Sequence, residues 1–340
     1  MPTPAATHRD RIETCLNGQT PDQVPVALWR HFPVDDQTPE GLAAAVIQFQ
    51  NTYDFDLIKV TPASSFCVTD WGARDEWRGN PEGTREYTRQ PIRFPEDWAK
   101  IRPLDPRKGS LNDQITCLRL LVAEYHHATP ILQTVFSPLS QAKNLLGKQN
   151  LVAFLREFPQ ALHAGLEVIT QTTLQFIEEA AKTGIDGIFY AVQYAQYGLL
   201  SEEEFRTFGK FYDLQVLEAV RSLWANMLHL HGEHVMFDAV QDYPLQIINW
   251  HDRSTPPTLA IAKNKFPGVV CGGLRQWDSM VLGTPRQVLE EARMAISETQ
   301  GQRFILGTGC VLPITAPHGN ILAARRSVLK NSTGSLGAQV

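Results

Sequence analysis

Of 340 residues only five are cysteine (Cys15, Cys67, Cys117, Cys271 and Cys310), an odd number, widely spread and with no CxxC pair. That excludes a disulfide framework and fits a reducing cytosol. A basic excess is also missing: 31 Lys and Arg face 36 Asp and Glu, a net charge of −5. No positive field exists for a phosphate backbone, so nucleic acid is excluded as a direct partner and a small molecule or another protein is expected. No stretch approaches the roughly 18 uninterrupted apolar residues of a membrane span, and the opening "MPTPAATHRDRIETC" has no apolar core of a signal peptide. A cytoplasmic protein that neither spans nor enters a membrane is the expectation. Absent too are internal repeats, low-complexity runs and a G-x-G-x-x-G after any early strand, which counts against a doubly wound dinucleotide fold.

What is present is alternation. Short branched apolar runs at 24–30, 56–61, 130–136, 184–192, 225–231, 245–250, 268–273 and 303–308 read as eight buried strands. Amphipathic stretches at 39–53, 110–128, 158–184, 201–224, 255–266 and 284–300 read as helices between most of them. Ser201 before three glutamates and Thr284 before Pro285 supply helix starts. Apolar strands separated by helices demand right-handed crossovers and a parallel sheet. The predicted fold is α/β, a (β/α)8 TIM barrel in a single domain over 1–330, with a disordered tail over 331–340. Residues 62–109, after the second strand, are too long and polar for a plain connection and are read as an elaborated loop over the catalytic face.

In a barrel the chemistry collects where strands end. "LHLHGEH" (228–234) ends the fifth strand, and His229 and His231, two apart, point to one face, here the barrel interior. Cys310, just past the eighth strand, approaches them across the mouth. Two neutral imidazoles, one thiolate and an open position make a catalytic zinc shell, while a polar barrel mouth without metal is the plainer alternative.

The closing segment "FILGTGCVLPITAPHGNILAARRSV", with its Gly-Cys-x-x-Pro turn, and the opening "RIETCLNGQTPDQVPVALW" resemble the uroporphyrinogen decarboxylase superfamily. The resemblance is strongest to its cobalamin-dependent branch, zinc enzymes that carry methyl groups from a corrinoid protein to coenzyme M. It implies that His229 and Cys310 match two family zinc ligands and that His231 stands where the family has cysteine. Exchanging a thiolate for an imidazole removes one negative charge from the shell and makes the metal a stronger Lewis acid. Attack by a bound thiolate then weakens, and an oxygen nucleophile becomes more accessible, with Glu233 or His234 as candidate fourth ligands.

The resemblance thus implies a zinc-dependent methyltransferase that receives its corrinoid from a partner protein, no corrinoid domain being visible in the chain. Cofactor-free decarboxylation of a tetrapyrrole is the alternative, and a non-catalytic tetrapyrrole- or corrinoid-binding protein a third. The decarboxylase's arginine-rich stretch after the first strand is here "LWRHFPVDD", where Arg30 survives but Asp35 and Asp36 would repel a polycarboxylate. Asp70 corresponds to its loop acid and Tyr194 to its tyrosine.

Arg30, Asp70, Tyr194 and Asp252 are therefore the candidate catalytic residues, and His31, Tyr197, Asn249 and His251 the candidate substrate contacts. Asp252 is expected to orient His251 or a ligand histidine through a hydrogen bond, or else to begin the turn "HDRSTPP". Trp71, Trp77 and Trp98 either form a lid or pack the 62–109 loop onto the barrel. His126 and His127 are read as complementing a helix C-terminal dipole, and His163 and His318 have no assigned partners.

Overall fold

In the computed structural model, described for residues 6–125 and 128–329, strands form at seven of the eight predicted apolar runs, and two more form within 62–109. They are β1 (Ile58–Val60), β2 (Arg74–Glu76), β3 (Glu86–Arg89), β4 (Ile131–Phe136), β5 (Gly187–Val192), β6 (Met227–Leu230), β7 (Ile247–Trp250), β8 (Val269–Leu274) and β9 (Phe304–Thr308). Seven of them make one parallel sheet in the order β1-β4-β5-β6-β7-β8-β9. Every residue of those seven strands is buried, as expected for strands covered on both faces.

The predicted strand over 24–30 is reduced to a bridge between Val26 and Leu306, beside β9. Pro25 has no N–H to donate, and the Val26 N–H goes to the Asp56 carboxylate rather than to a neighbouring strand. Asp56 N–H still donates to Val26 O, so this segment lies between β9 and the chain entering β1. The fold is TIM-barrel-like, with a sheet of seven strands and a bridge in the place of the eighth.

The helix predicted over 39–53 runs Pro39–Tyr53, with Thr38 as its N-cap. That predicted over 201–224 is broken into Glu202–Phe205, a π-helical turn Arg206–Lys210, and Phe211–Glu218. Two helices that sequence periodicity did not single out, Pro138–Leu146 and Lys148–Glu157, follow β4 and are split at Gly147. His126, His127 and the 331–340 tail lie outside the described residues. None of the described helices is long and apolar enough to cross a membrane.

Residues 62–109 contain the β2–β3 antiparallel ribbon and two short 3-10 turns. Trp98 is buried in the core and sits against helix Pro159–Ala181 at Gly165, so this tryptophan packs the segment onto the barrel. Trp71 and Trp77 bond to carbonyls of the segment itself, at Arg102 and Asn80. Outside the barrel wall, the Tyr190 and Tyr243 hydroxyls both donate to buried Asp213, at 2.6 and 2.7 Å.

Trp98→Ala is expected to lower unfolding free energy by about 3–5 kcal/mol, read from urea denaturation, because it empties a filled core site. Burial pushes the Asp213 carboxyl up to about 7 despite its two phenolic donors. Between its ordinary value and that one, the folded state binds more protons than the unfolded chain, so stability falls as pH rises through this window. Asp213→Asn should flatten that decline in urea melts at about pH 5 and about pH 7; an unchanged slope would assign the decline to other groups.

Candidate metal centre

Strand periodicity builds the centre. His229 on β6 pairs in register with Ala191 on β5 and Asn249 on β7, and the next inward positions are His231 and His251, just past the two strand ends. Cys310 reaches the same point from β9 through Gly309. A Cβ on residue 309 would stand 2.6 Å from the His251 Cα and 2.8 Å from the Trp250 carbonyl oxygen, so only glycine lets this turn pass so close.

One donor atom from each of His229, His231, His251 and Cys310 lies within 4.8 Å of all the others. Cys310 Sγ is 3.7 Å from both His229 Nε2 and His231 Nδ1. Asn249 settles which His229 nitrogen is free. Its Nδ2 donates to the carbonyls of Cys271 and Thr308, at 2.9 and 3.0 Å, so its Oδ1 must be the atom facing His229 Nδ1 at 2.7 Å. Nδ1 therefore carries the proton, and the Nε2 lone pair points toward the sulfur.

Burial keeps the donors neutral. It holds His229 well below the ordinary imidazole range, His231 down to about 3 and His251 lower than usual, and raises the Cys310 thiol to about 12. Three imidazole lone pairs and a thiol that can lose its proton to a cation form a nitrogen and sulfur donor set that suits zinc. His251 Nε2 is buried without a hydrogen-bond partner, as a ligand nitrogen awaiting a cation would be.

Lys59, in the middle of the apolar run "DLIKVT", was not among the sequence candidates. It is buried beside this centre, donates to Thr61 Oγ1 at 3.2 Å and lies 4.6 Å from the centroid of Phe189, whose ring stacks on His229. Burial lowers its ammonium to about 7, and it makes no ion pair within the described residues. A charged residue inside a buried strand was the available signal.

The other sequence candidates are scattered around the centre. Tyr194 lines a cavity of about 280 Å³ next to His231 and donates to Lys148 O at 3.4 Å. His31 is buried, with Nδ1 unpartnered and its ring held down to about 3 by burial and Lys59. Arg30 rests its guanidinium over Phe32 and Phe49 and donates to Ile314 O. Tyr197 is exposed and bonded to Glu202. Asp70 accepts from Ser110 N and Oγ at the start of helix Gly109–Tyr125, so its carboxylate is spent on that helix end. Asp252 accepts from Gly273 N and pairs with Arg253, bracing β8 rather than His251. His163 and His318, unassigned from sequence, bond the hydroxyls of Tyr212 and Tyr53.

Residues 7–330 match the family model described as uroporphyrinogen decarboxylase (URO-D). The chain belongs to the uroporphyrinogen decarboxylase family. Among curated relatives, "Uroporphyrinogen decarboxylase" of Rhodococcus opacus is 26% identical over 251 residues, covering 69% of this chain and 68% of that protein. The "Methylated-thiol–coenzyme M methyltransferase" of Methanosarcina mazei is 22% identical over 299 residues, covering 84% and 72%. A solved structure titled "methyltransferase from Methanosarcina mazei" superposes with a TM-score of 0.83 at 16% identity, over 95% of this chain and 98% of that one, a likeness of fold. Both enzymes of the curated comparison are thus relatives of this family member.

Asn249→Ala frees the His229 ring to turn and should weaken zinc binding about 10- to 100-fold, measured by competition with a chromogenic chelator. Asn249→Asp, which keeps the acceptor, should recover part of that loss; equal affinity in all three proteins would remove Asn249 from the centre's design.

Proposed function

We propose that this family member is a zinc-dependent methyltransferase, moving a methyl group between a corrinoid brought by a partner protein and a small nucleophile such as a thiol. The observation that carries the reading is the convergence of His229, His231, His251 and Cys310 on one point at the barrel mouth. His229, His231 and Cys310 would hold zinc, with His251 as a fourth donor; zinc bound there supplies the Lewis acidity that makes a bound thiol or water nucleophilic at neutral pH.

The chain's own groups prepare that chemistry. Asn249 fixes the His229 tautomer, and Phe189 stacked on the same ring shields it from water. Lys59 is a buried ammonium beside the centre, placed to balance anionic charge gathered there. Tyr194 and the lysines Lys143 and Lys148 form the wall beside His231, where a small substrate would be seated.

Decarboxylation of a tetrapyrrole is supported by the names of several curated relatives. The site argues the other way. Asp70 is engaged at a helix end, which takes it out of the role the decarboxylase resemblance assigned it, and Asp35 and Asp36 stand near Arg30 in the chain.

Elemental analysis of untagged protein tests the reading. About one zinc per chain is expected in the wild type, and a large loss in Cys310→Ser. Folded wild-type protein that takes up no zinc would return the centre to a polar barrel mouth and bring tetrapyrrole chemistry forward.

A further inference from the structure

The donor cluster lies between two cavities with charged walls. On the His231 side, Lys143 and Lys148 line a space of about 280 Å³ together with Glu233, and neither ammonium has an ion-pair partner among the described residues. On the His251 side is a space of about 270 Å³, walled by Glu82, His251, Arg253, Arg275, Trp277 and Asp278.

Each arginine of that second cavity has carboxylate partners, although Arg253 Nη2 is buried without a hydrogen-bond partner. Arg253 pairs with Glu298 at 3.1 Å and Asp252 at 3.3 Å, and Arg275 with Glu291 at 2.5 Å. Glu82 is not: its Oε1 accepts only a neutral amide, from Gln276 Nε2 at 3.1 Å. Asp278 is exposed and likewise without an ion pair. The uncompensated charge facing the cavity is negative, with an indole in the same wall. Carboxylate together with aromatic surface is the chemistry that recognises a cation.

Glu82 is held in place by its own turn. Glu82 N donates to Asn80 Oδ1 at 2.8 Å, and Ile314 N donates to Pro81 O at 2.8 Å. Gly83 follows with φ +77°, and a Cβ there would come within 2.6 Å of His31 Cβ, so the turn is seated directly against the barrel mouth. The carboxylate is close enough for its charge to raise the Cys310 thiol further. In this chain, the acid that residues 62–109 bring to the centre is Glu82.

We propose that the His251-side cavity is a subsite for the positively charged part of a small substrate, an ammonium or substituted amine, with Glu82 as its contact and Trp277 as its wall. The assignment rests on the donor cluster being the reaction centre. It gives that centre a direction: the cationic group enters beside His251, and the His231 side carries two lysines against one carboxylate, Glu233.

The test is a titration of the full chain, freed of metal by chelator, with methylammonium chloride, following the ring resonances of ¹³C-labelled histidine. The His251 signal is assigned from its loss in His251→Asn. A saturable shift of that signal is expected in the wild type, with about fivefold weaker binding in Glu82→Gln, one charge contact being lost. The other histidine signals should be unchanged in the variant, which separates loss of a contact from loss of fold. Sodium acetate over the same range should not move the His251 signal. No saturable shift with methylammonium, equal binding in Glu82→Gln, or a shift produced instead by acetate overturns the proposal. Zinc content is measured on untreated protein, so failure of the methyltransferase reading and failure of the cation subsite are registered separately.

Discussion

The side chain of Asn249 ties the site together. Its amide N–H groups donate to carbonyls on β8 and β9, its oxygen accepts from a histidine N–H on β6, and it stands on β7 itself. Four strands are joined through one buried carboxamide, and the same three bonds decide which nitrogen of His229 is available as a donor. Because every hydrogen-bonding position of the amide N–H₂ is used, flipping the amide would leave two carbonyls facing an oxygen. The orientation of the metal donor and the integrity of the sheet at this point are one constraint.

Around that constraint the donor groups are largely buried and carry little charge of their own. Three imidazoles held neutral, a thiol held protonated and a lysine brought close to neutrality are what burial without carboxylate partners produces. A cation bound at the four donors, with release of the thiol proton, would change the local charge abruptly, and burial would weaken its screening. Lys59 and Glu82 acquire importance for this reason: each is an ionisable group without an ion-pair partner near the centre, of opposite charge type and on different elements.

Much of this was legible in sequence because strand periodicity is strict. The His229–His231 spacing fixed one face, and the Gly309–Cys310 turn was recognisable by resemblance. His251 was seen as polar and near the mouth, yet its place in the cluster depends on β7 standing beside β6 in register, which a linear pattern does not encode. Lys59 was hidden inside a strand whose apolar neighbours defined it. Asp70 and Asp252 have the residue type that catalysis uses, but a helix end and a strand N–H claimed their carboxylates, a competition settled only by tertiary contacts. The shortening of the 24–30 strand follows from Pro25, whose missing N–H was visible, and from Asp56 capturing the next one, which was not.

The resemblance implies a cysteine where this chain has His231, and the full donor set fixes what that difference would mean for charge. Three neutral imidazoles and one thiolate leave a divalent ion with one positive charge, where the two-thiolate set implied by the resemblance leaves none. An anionic nucleophile would restore neutrality here, whereas in the two-thiolate set it adds an excess negative charge. With the lysine-lined cavity beside His231, the electrostatics favour capture of an anion over its release as a strong nucleophile. Strong binding of the nucleophile and weak reactivity are two faces of the same charge count, and the neighbouring charges of Lys59 and Glu82 are the groups placed to shift the balance between them.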